Sequence, residues 1–306
     1  MPSILNKKIL VIGAGAVGIF YSSKLSLSGS QIILWCRSNA ELIREKGIQI
    51  KSCNGDFDFY PYKIIHKLDE LTDEIDFVLI ATKVLPDIDI IDLINRVIHK
   101  NTKIILIQNG IHIEKNIIKN FYQNEIISAL AFVCVSRESA NIINHQDYGK
   151  LVIGNCNGNS MESCKYLAKL WQDSGIEIEV SENIFLDRWK KLVWNGAFNP
   201  LSVVLGGKST NQILANELAC DLVKNIMNEI CLLAEADKCK LPDDVIEKNI
   251  VATQKMKPYK TSMLLDYEAG RPMEIEAILG NAIKFAKSKS ISTPYLSSIY
   301  AIISNY

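Results

Sequence analysis

Neither sign of charge prevails in this chain: 34 lysines and arginines stand against 34 aspartates and glutamates. That balance removes the electrostatic basis for binding nucleic acid, because phosphate contacts need a surplus of cations. No apolar stretch reaches the roughly 20 residues that a bilayer-spanning helix requires, so no membrane association is expected. The four histidines (His66, His99, His112 and His145) stand apart from any cysteine cluster, and no metal site is expected. Cysteine occurs eight times but never as C-x-x-C. These are read as reduced, mostly buried thiols of a cytoplasmic protein. The apolar run in "MPSILNKKILVIGAG" is too short and too early for a signal peptide. Flexible linkers, internal repeats and low-complexity tracts are also missing. What remains, 48% hydrophobic and 22% charged residues over 306 positions, is a globular chain long enough for two domains.

The first half alternates short apolar runs with helical patterns. "KKILVIGAG", "SQIILWCR", "EIDFVLIAT", "TKIILIQNG", "EIISALAFVCV", "KLVIGN" and "IEIEV" read as strands. "AVGIFYSSKLSLSG", "AELIREKG", "DIDIIDLINRVIHK" and "MESCKYLAKLWQDSG" read as helices. Strand and helix in repetition predict a doubly wound, mainly parallel α/β sheet of the Rossmann type. From about Ser181 the patterns become long and helical, running from "IFLDRWKKLVWNGAFN" to "PYLSSIYAIISNY". The expected organisation is a dinucleotide-binding domain over residues 1–182 and an all-helical substrate domain over 183–306.

"VIGAGAVGIF" carries Gly13, Gly15 and Gly18 as G-x-G-x-x-G, between a strand and a helix of a β-α-β unit. In that context Gly13 makes the tight turn, Gly15 lets a pyrophosphate approach the backbone, and Gly18 lets the helix pack on the strand. The loop Gly13, Ala14, Gly15, Ala16, Val17, Gly18 thus places unpaired helix N–H groups at a phosphate. About 20 residues on, where an acid would hold the ribose of NAD, the chain has no carboxylate but Arg37 in "LWCRSN". A cation there suits a 2′-phosphate, and NADPH is the expected cofactor.

Ligands of open α/β sheets bind beyond the carboxyl ends of the strands. Lys83 and Asn109 lie there, after "DFVLIAT" and "IILIQ". In the helical half, Lys191, Asn195 and Asn199 of "KKLVWNGAFNP" are spaced four apart and line one helix stripe among apolar neighbours. Asparagine is a poor helix former, so two on one stripe point to hydrogen bonding rather than to a solvated face. Pro200 should end or bend this helix at Asn199.

With these residues the chain resembles the ketopantoate reductase (2-dehydropantoate 2-reductase) family. The resemblance rests on "GAGAVG", "TKVLPD", "QNG", "KKLVWNGAFNPL", "STPYLSSIYAII" and, most specifically, "TSMLLDYEAGRPMEIEAILG". It implies NADPH-dependent reduction of ketopantoate to (R)-pantoate on the route to pantothenate and coenzyme A. Carried over by residue, Lys191 matches the proton donor, and Asn195, Asn199 and Ser262 match substrate-binding positions. Lys83 and Asn109 match cofactor contacts, with Asn109 also near the substrate. Glu274 matches an acid of the active site near the cofactor, and Ser136 is the nearest match to the segment approaching the nicotinamide. Ser209 stands near a place where the family often carries a further substrate-contacting Asn.

Reduction of a ketone builds negative charge on its oxygen, and a protonated lysine there stabilises the charge and delivers the proton. Lys191 is charged at neutral pH unless burial depresses it, and Glu274 holds it charged or oriented if the two lie close. Two alternatives stand beside this reading. One is reduction of another 2-keto acid on the same scaffold; the other is a non-catalytic NADPH sensor, which needs neither the polar stripe nor Ser262 and Glu274. The long apolar helix expected from Gln212 to Lys238 can pack within its domain or against a second copy, so a homodimer is an open expectation.

Overall fold

The computed structural model describes residues 7–158 and 160–306. The first six residues and Asn159 of the expected 1–182 domain lie outside the described residues. The chain divides into two compact units. One runs up to Lys83 and includes Asp89–Gln108 and Glu114–Ile184; the other comprises Val84–Ile88, Asn109–Ile113 and Phe185–Tyr306. Two short loops from the strand-rich half therefore belong to the helical unit.

The first unit is an α/β sheet. Its strands are β1 (Lys8–Ile12), β2 (Gln31–Trp35), β3 (Ile48–Ser52), β4 (Phe57–Phe59), β5 (Lys63–Ile65), β6 (Phe77–Ile80), β7 (Lys103–Leu106), β8 (Ile126–Ser139), β9 (Ile142–Asn155) and β10 (Ile178–Val180). Its helices are α1 (Ala16–Leu27), α2 (Ala40–Lys46), α3 (Ile90–Asn95), α4 (Glu114–Asn120) and α5 (Glu162–Asp173). The spatial order is β4-β3-β9-β8-β7-β6-β1-β2-β5, with β10 on β9. From β5 across to β8 every neighbouring pair is parallel.

The apolar runs dictate this arrangement. Ile9 and Val11 enter one core cluster, while Leu10 and Ile12 enter the other. All four are fully buried, as strands covered on both faces must be. Each such side chain contributes about 1.5–3 kcal/mol on burial. The α1 helix stops where Gly29 takes a positive φ, and α2 stops at Gly47 for the same reason.

Three features depart from the expected pattern. The segment 48–65 holds β3, β4 and β5, which the periodicity did not signal. The "DIDIIDLINRVIHK" helix is only α3, because its flanks take other turns. And β8 and β9 form an antiparallel hairpin, with register shifts after Phe132, Cys134 and Arg137. Its outer half outruns β7 and packs Val133 and Val135 on the cluster holding Ala14, Ala16 and Val17.

The second unit contains α6 (Ile184–Val204), α7 (Thr210–Leu214), α8 (Glu217–Ala236), α9 (Val245–Lys255), α10 (Ser262–Glu268), a π-type turn (Glu276–Gly280), α11 (Asn281–Ser288) and α12 (Pro294–Ile303). One core joins Val223, Ile226, Met227, Ile230 and Leu233 of α8 to Leu192, Val193, Phe198 and Leu201 of α6. Two expectations are corrected here. Of the end or bend expected at Pro200, the end does not occur: α6 runs on to Val204. Leu201, Ser202 and Val203 beyond it are buried, and Ser202 donates through Oγ to the Asn199 carbonyl. Burial outweighs the local preference. The Gln212–Lys238 pattern is not one helix either: it breaks before Asn216, whose side chain caps α8 by accepting from the Ala219 N–H.

Candidate active site

The first unit carries the glycine loop between β1 and α1. A Cβ on Gly13, where φ is +110°, would lie 2.4 Å from the Thr82 nitrogen. One on Gly18 would lie 2.2 Å from the Gly13 carbonyl oxygen. These two glycines are required by contact. Gly15 differs, since a Cβ there would meet nothing within 4 Å. Gly15 is also the N-cap of α1 and supplies no side chain to its first N–H groups. An open approach to uncapped helix N–H groups is the cradle that a pyrophosphate fits. At the adjoining strand ends, Gln108 donates from Nε2 to the Thr82 carbonyl at 2.8 Å, pinning β6 to β7. Lys83 follows, half-buried, and Arg37 stands exposed just beyond β2. Ser136 is half-buried on β8, opposite Asn144.

The second unit carries the amine. Lys191 Nζ donates to Asn109 Oδ1 at 3.1 Å. Asn109 Nδ2 donates to Glu274 Oε2 at 3.2 Å, and Glu274 Oε1 accepts from the Val84 N–H at 3.0 Å. The amide of Asn109 is thereby oriented: its oxygen faces the ammonium and its NH2 the carboxylate. Lys191 is only partly exposed, and desolvation of its amine pushes the ammonium down to about 7. The neighbouring Arg188 charge adds to that fall, and the Glu274 charge opposes it. A lysine that sequence leaves near 10.4 thus becomes an acid matched to neutral pH.

On the same stripe of α6, Asn195 is half-buried and Asn199 is 1% exposed. Asn199 Oδ1 has no hydrogen-bond partner among the described residues. A buried amide oxygen left so costs about 1–3 kcal/mol, which a ligand donor would offset. Ser262 opens α10 and is exposed, while its neighbour Thr261 caps that helix and exchanges a hydrogen bond of 2.7 Å with Ser202. Ser209 is the N-cap of α7. The structure therefore gathers Lys191, Asn109 and Glu274 into one chain of hydrogen bonds, and places Asn195 and Asn199 along the helix that bears the lysine.

Sequence reading missed the groups that hold this chain in place. Arg188, almost fully buried one turn before Lys191, donates from Nη1 to the Gly110 carbonyl at 2.9 Å. Asn281 holds the Ile111 carbonyl at 2.9 Å. The Asp237 carboxylate accepts from Trp189 Nε1 at 2.8 Å and contacts His112 Nε2 at 2.8 Å. A Cβ on Gly110 would meet the Ala277 carbonyl oxygen at 2.3 Å. Only the glycine of "QNG" left a trace in sequence. The remaining partners are 48 to 170 positions apart.

Among the described residues no group of three His, Cys, Asp or Glu side chains could hold a metal ion, and no helix is long and apolar enough to cross a membrane. All eight cysteines are free thiols.

Comparison with known proteins gives the family. The model of the ketopantoate reductase PanE/ApbA family matches residues 9–158, and the model of its C-terminal domain matches residues 183–306. A 2-dehydropantoate 2-reductase of Nostoc sp. is 31% identical over 300 residues, 96% of this chain and 93% of that one. The crystal structure of 2-dehydropantoate 2-reductase from Methylococcus capsulatus is 43% identical with a TM-score of 0.92, covering 97% of this chain and 96% of that one. D-Mandelate dehydrogenase, solved with NADH and anilino(oxo)acetate, shares the fold with a TM-score of 0.87 at 23% identity, over 97% of each chain. With both halves matched in order and relatives spanning nearly its whole length, the chain belongs to the ketopantoate reductase family of oxidoreductases.

Proposed function

We propose that the chain reduces 2-dehydropantoate to (R)-pantoate with NADPH, serving pantothenate and coenzyme A synthesis, with Lys191 as the proton donor. The observation that carries this reading is the Lys191–Asn109–Glu274 chain, which delivers an ammonium whose pKa lies near 7. The Gly13–Gly18 loop would hold the pyrophosphate of a reduced nicotinamide dinucleotide and Arg37 its 2′-phosphate, and the cofactor so bound would supply the hydride. Lys83 and Ser136 are assigned to the same cofactor.

The residues of the second unit do the rest. Lys191 Nζ stabilises the charge growing on the ketone oxygen and hands it a proton. Asn109 aims the amine, and Glu274 keeps it charged through the growing desolvation of a filled site. Asn199 Oδ1, lacking a donor, accepts from the substrate hydroxyl. Asn195 binds the substrate's other polar groups, and Ser262 donates to its carboxylate.

Steady-state kinetics test the substrate. A site built to bond a hydroxyl rejects an analogue lacking it by about 10⁴-fold or more. Ketopantoate is therefore expected to outcompete 2-ketoisovalerate by that order in kcat/KM. Comparable values would instead make the chain a general 2-keto acid reductase, a reading that the likeness to D-mandelate dehydrogenase keeps alive at the level of fold.

A further inference from the structure

The outer half of the β8–β9 hairpin brings an arginine to the glycine loop. Arg137 donates from Nη2 to the Ala14 carbonyl at 2.7 Å. Its charge also reaches Cys36, the first residue past β2 and the one before Arg37. The residue is exposed, and its bond to Ala14 occupies one of the five N–H donors of a guanidinium. No carboxylate pairs with it among the described residues. Adjacent Glu138 is taken by Lys51 at 2.8 Å and by Asn144 at 2.7 Å. Arg44, the other guanidinium in reach of Cys36, is committed to Glu41 and to the Ile64 carbonyl.

An arginine beside a dinucleotide loop with no acid to neutralise it suits a ligand that brings negative charge. Two such charges are available on a phosphorylated dinucleotide. The uncapped start of α1 answers the pyrophosphate. The second charge sits on the adenine ribose, at the end of β2, where Arg137 and Arg37 both stand. We propose that Arg137 is a cofactor-selecting residue that shares the 2′-phosphate of NADPH with Arg37, one guanidinium coming from the end of β2 and the other from the β8 hairpin. This rests on the NADPH reading above. Binding the phosphate is a charge-assisted contact in fork geometry, for which lysine is an incomplete substitute.

Calorimetric titration of 2′,5′-ADP and of 5′-ADP into the wild type, Arg37→Gln and Arg137→Gln needs no catalysis. The wild type is expected to prefer 2′,5′-ADP. Arg137→Gln is expected to weaken 2′,5′-ADP by about tenfold or more while moving 5′-ADP less than about twofold. Arg137→Lys, which guards against a misfolded glutamine variant, is expected to fall between. Equal losses for both ligands would make Arg137 a staple of the glycine loop and overturn the inference. An unchanged preference in Arg137→Gln, with the preference lost in Arg37→Gln, would overturn it while leaving NADPH standing. A wild type indifferent to the 2′-phosphate would overturn both.

Discussion

Lys191 is an ordinary lysine in sequence and an unusual one in its surroundings, and its removal is the most direct test of the chemistry. General acids contribute about 10²–10⁴-fold, so Lys191→Ala is expected to lower kcat by at least about 10²-fold while the nicotinamide dinucleotide still binds. Near-normal turnover in a folded variant would overturn its proposed role as donor. Because the ammonium is lowered to about 7, kcat/KM for reduction is expected to fall as pH rises through 7, and the reverse oxidation to gain. A flat profile from pH 6 to 9 would contradict this. Stability has its own sign. The folded pKa of about 7 lies below the ordinary value of 10.5. Below pH 7 both states hold the proton, and the folded state bears the whole cost of a desolvated ammonium. Between those values the folded chain sheds the proton first, so the cost fades as pH rises. Lys191→Met should therefore raise Tm most at acid pH, with the gain vanishing above about pH 10.5. Melting curves across pH check it.

Elements matter here by how they are tied to one another. The loop that bears Asn109 is held at Gly110, Ile111 and His112 by residues of α6, the π-type turn, α11 and the turn after α8. Asp237→Ala would strip the partner from Trp189 Nε1, whose side chain is fully buried. A cost of about 1–3 kcal/mol is expected, read as a lower denaturation midpoint at unchanged m. Turnover should fall more than substrate affinity, because the loop and α6 both position the amine. The glycine loop is equally unforgiving. Gly18→Ala puts a methyl 2.2 Å from the Gly13 carbonyl oxygen, and overpacking of that kind costs about 1–3 kcal/mol. Dinucleotide binding should be lost with it, whereas Gly15→Ala, which meets no protein atom, should keep the fold and weaken binding alone.

The chain as a whole is less divisible than its domain pattern implies. The helical unit is completed by Val84–Ile88 and Asn109–Ile113. A fragment of residues 183–306 would lack the Gly110 carbonyl that Arg188 holds, the His112 that Asp237 holds and the Ile111 side chain that enters the core. Leaving a buried guanidinium without that acceptor is costly. The fragment is expected to show no cooperative thermal transition, while the full chain does. A sharp transition in the fragment would show that the two loops are dispensable.

Much of this protein could be read along the chain. The strands of the parallel sheet, the glycine loop and the Lys191–Asn195–Asn199 stripe depend on spacing over a few residues, and periodicity reports such spacing directly. At Pro200 the same method allowed a helix end that does not occur, because it scores a local preference that the burial of Leu201, Ser202 and Val203 outweighs. Arg137 and Asp237 carry no local signal at all: the first acquires its meaning from a carbonyl 123 positions away and the second from a histidine 125 positions away. Lys191 lies between the two cases. Its residue type and helix face are local facts, but its pKa is a property of the medium around the amine, and that medium exists only once distant segments have packed and excluded water.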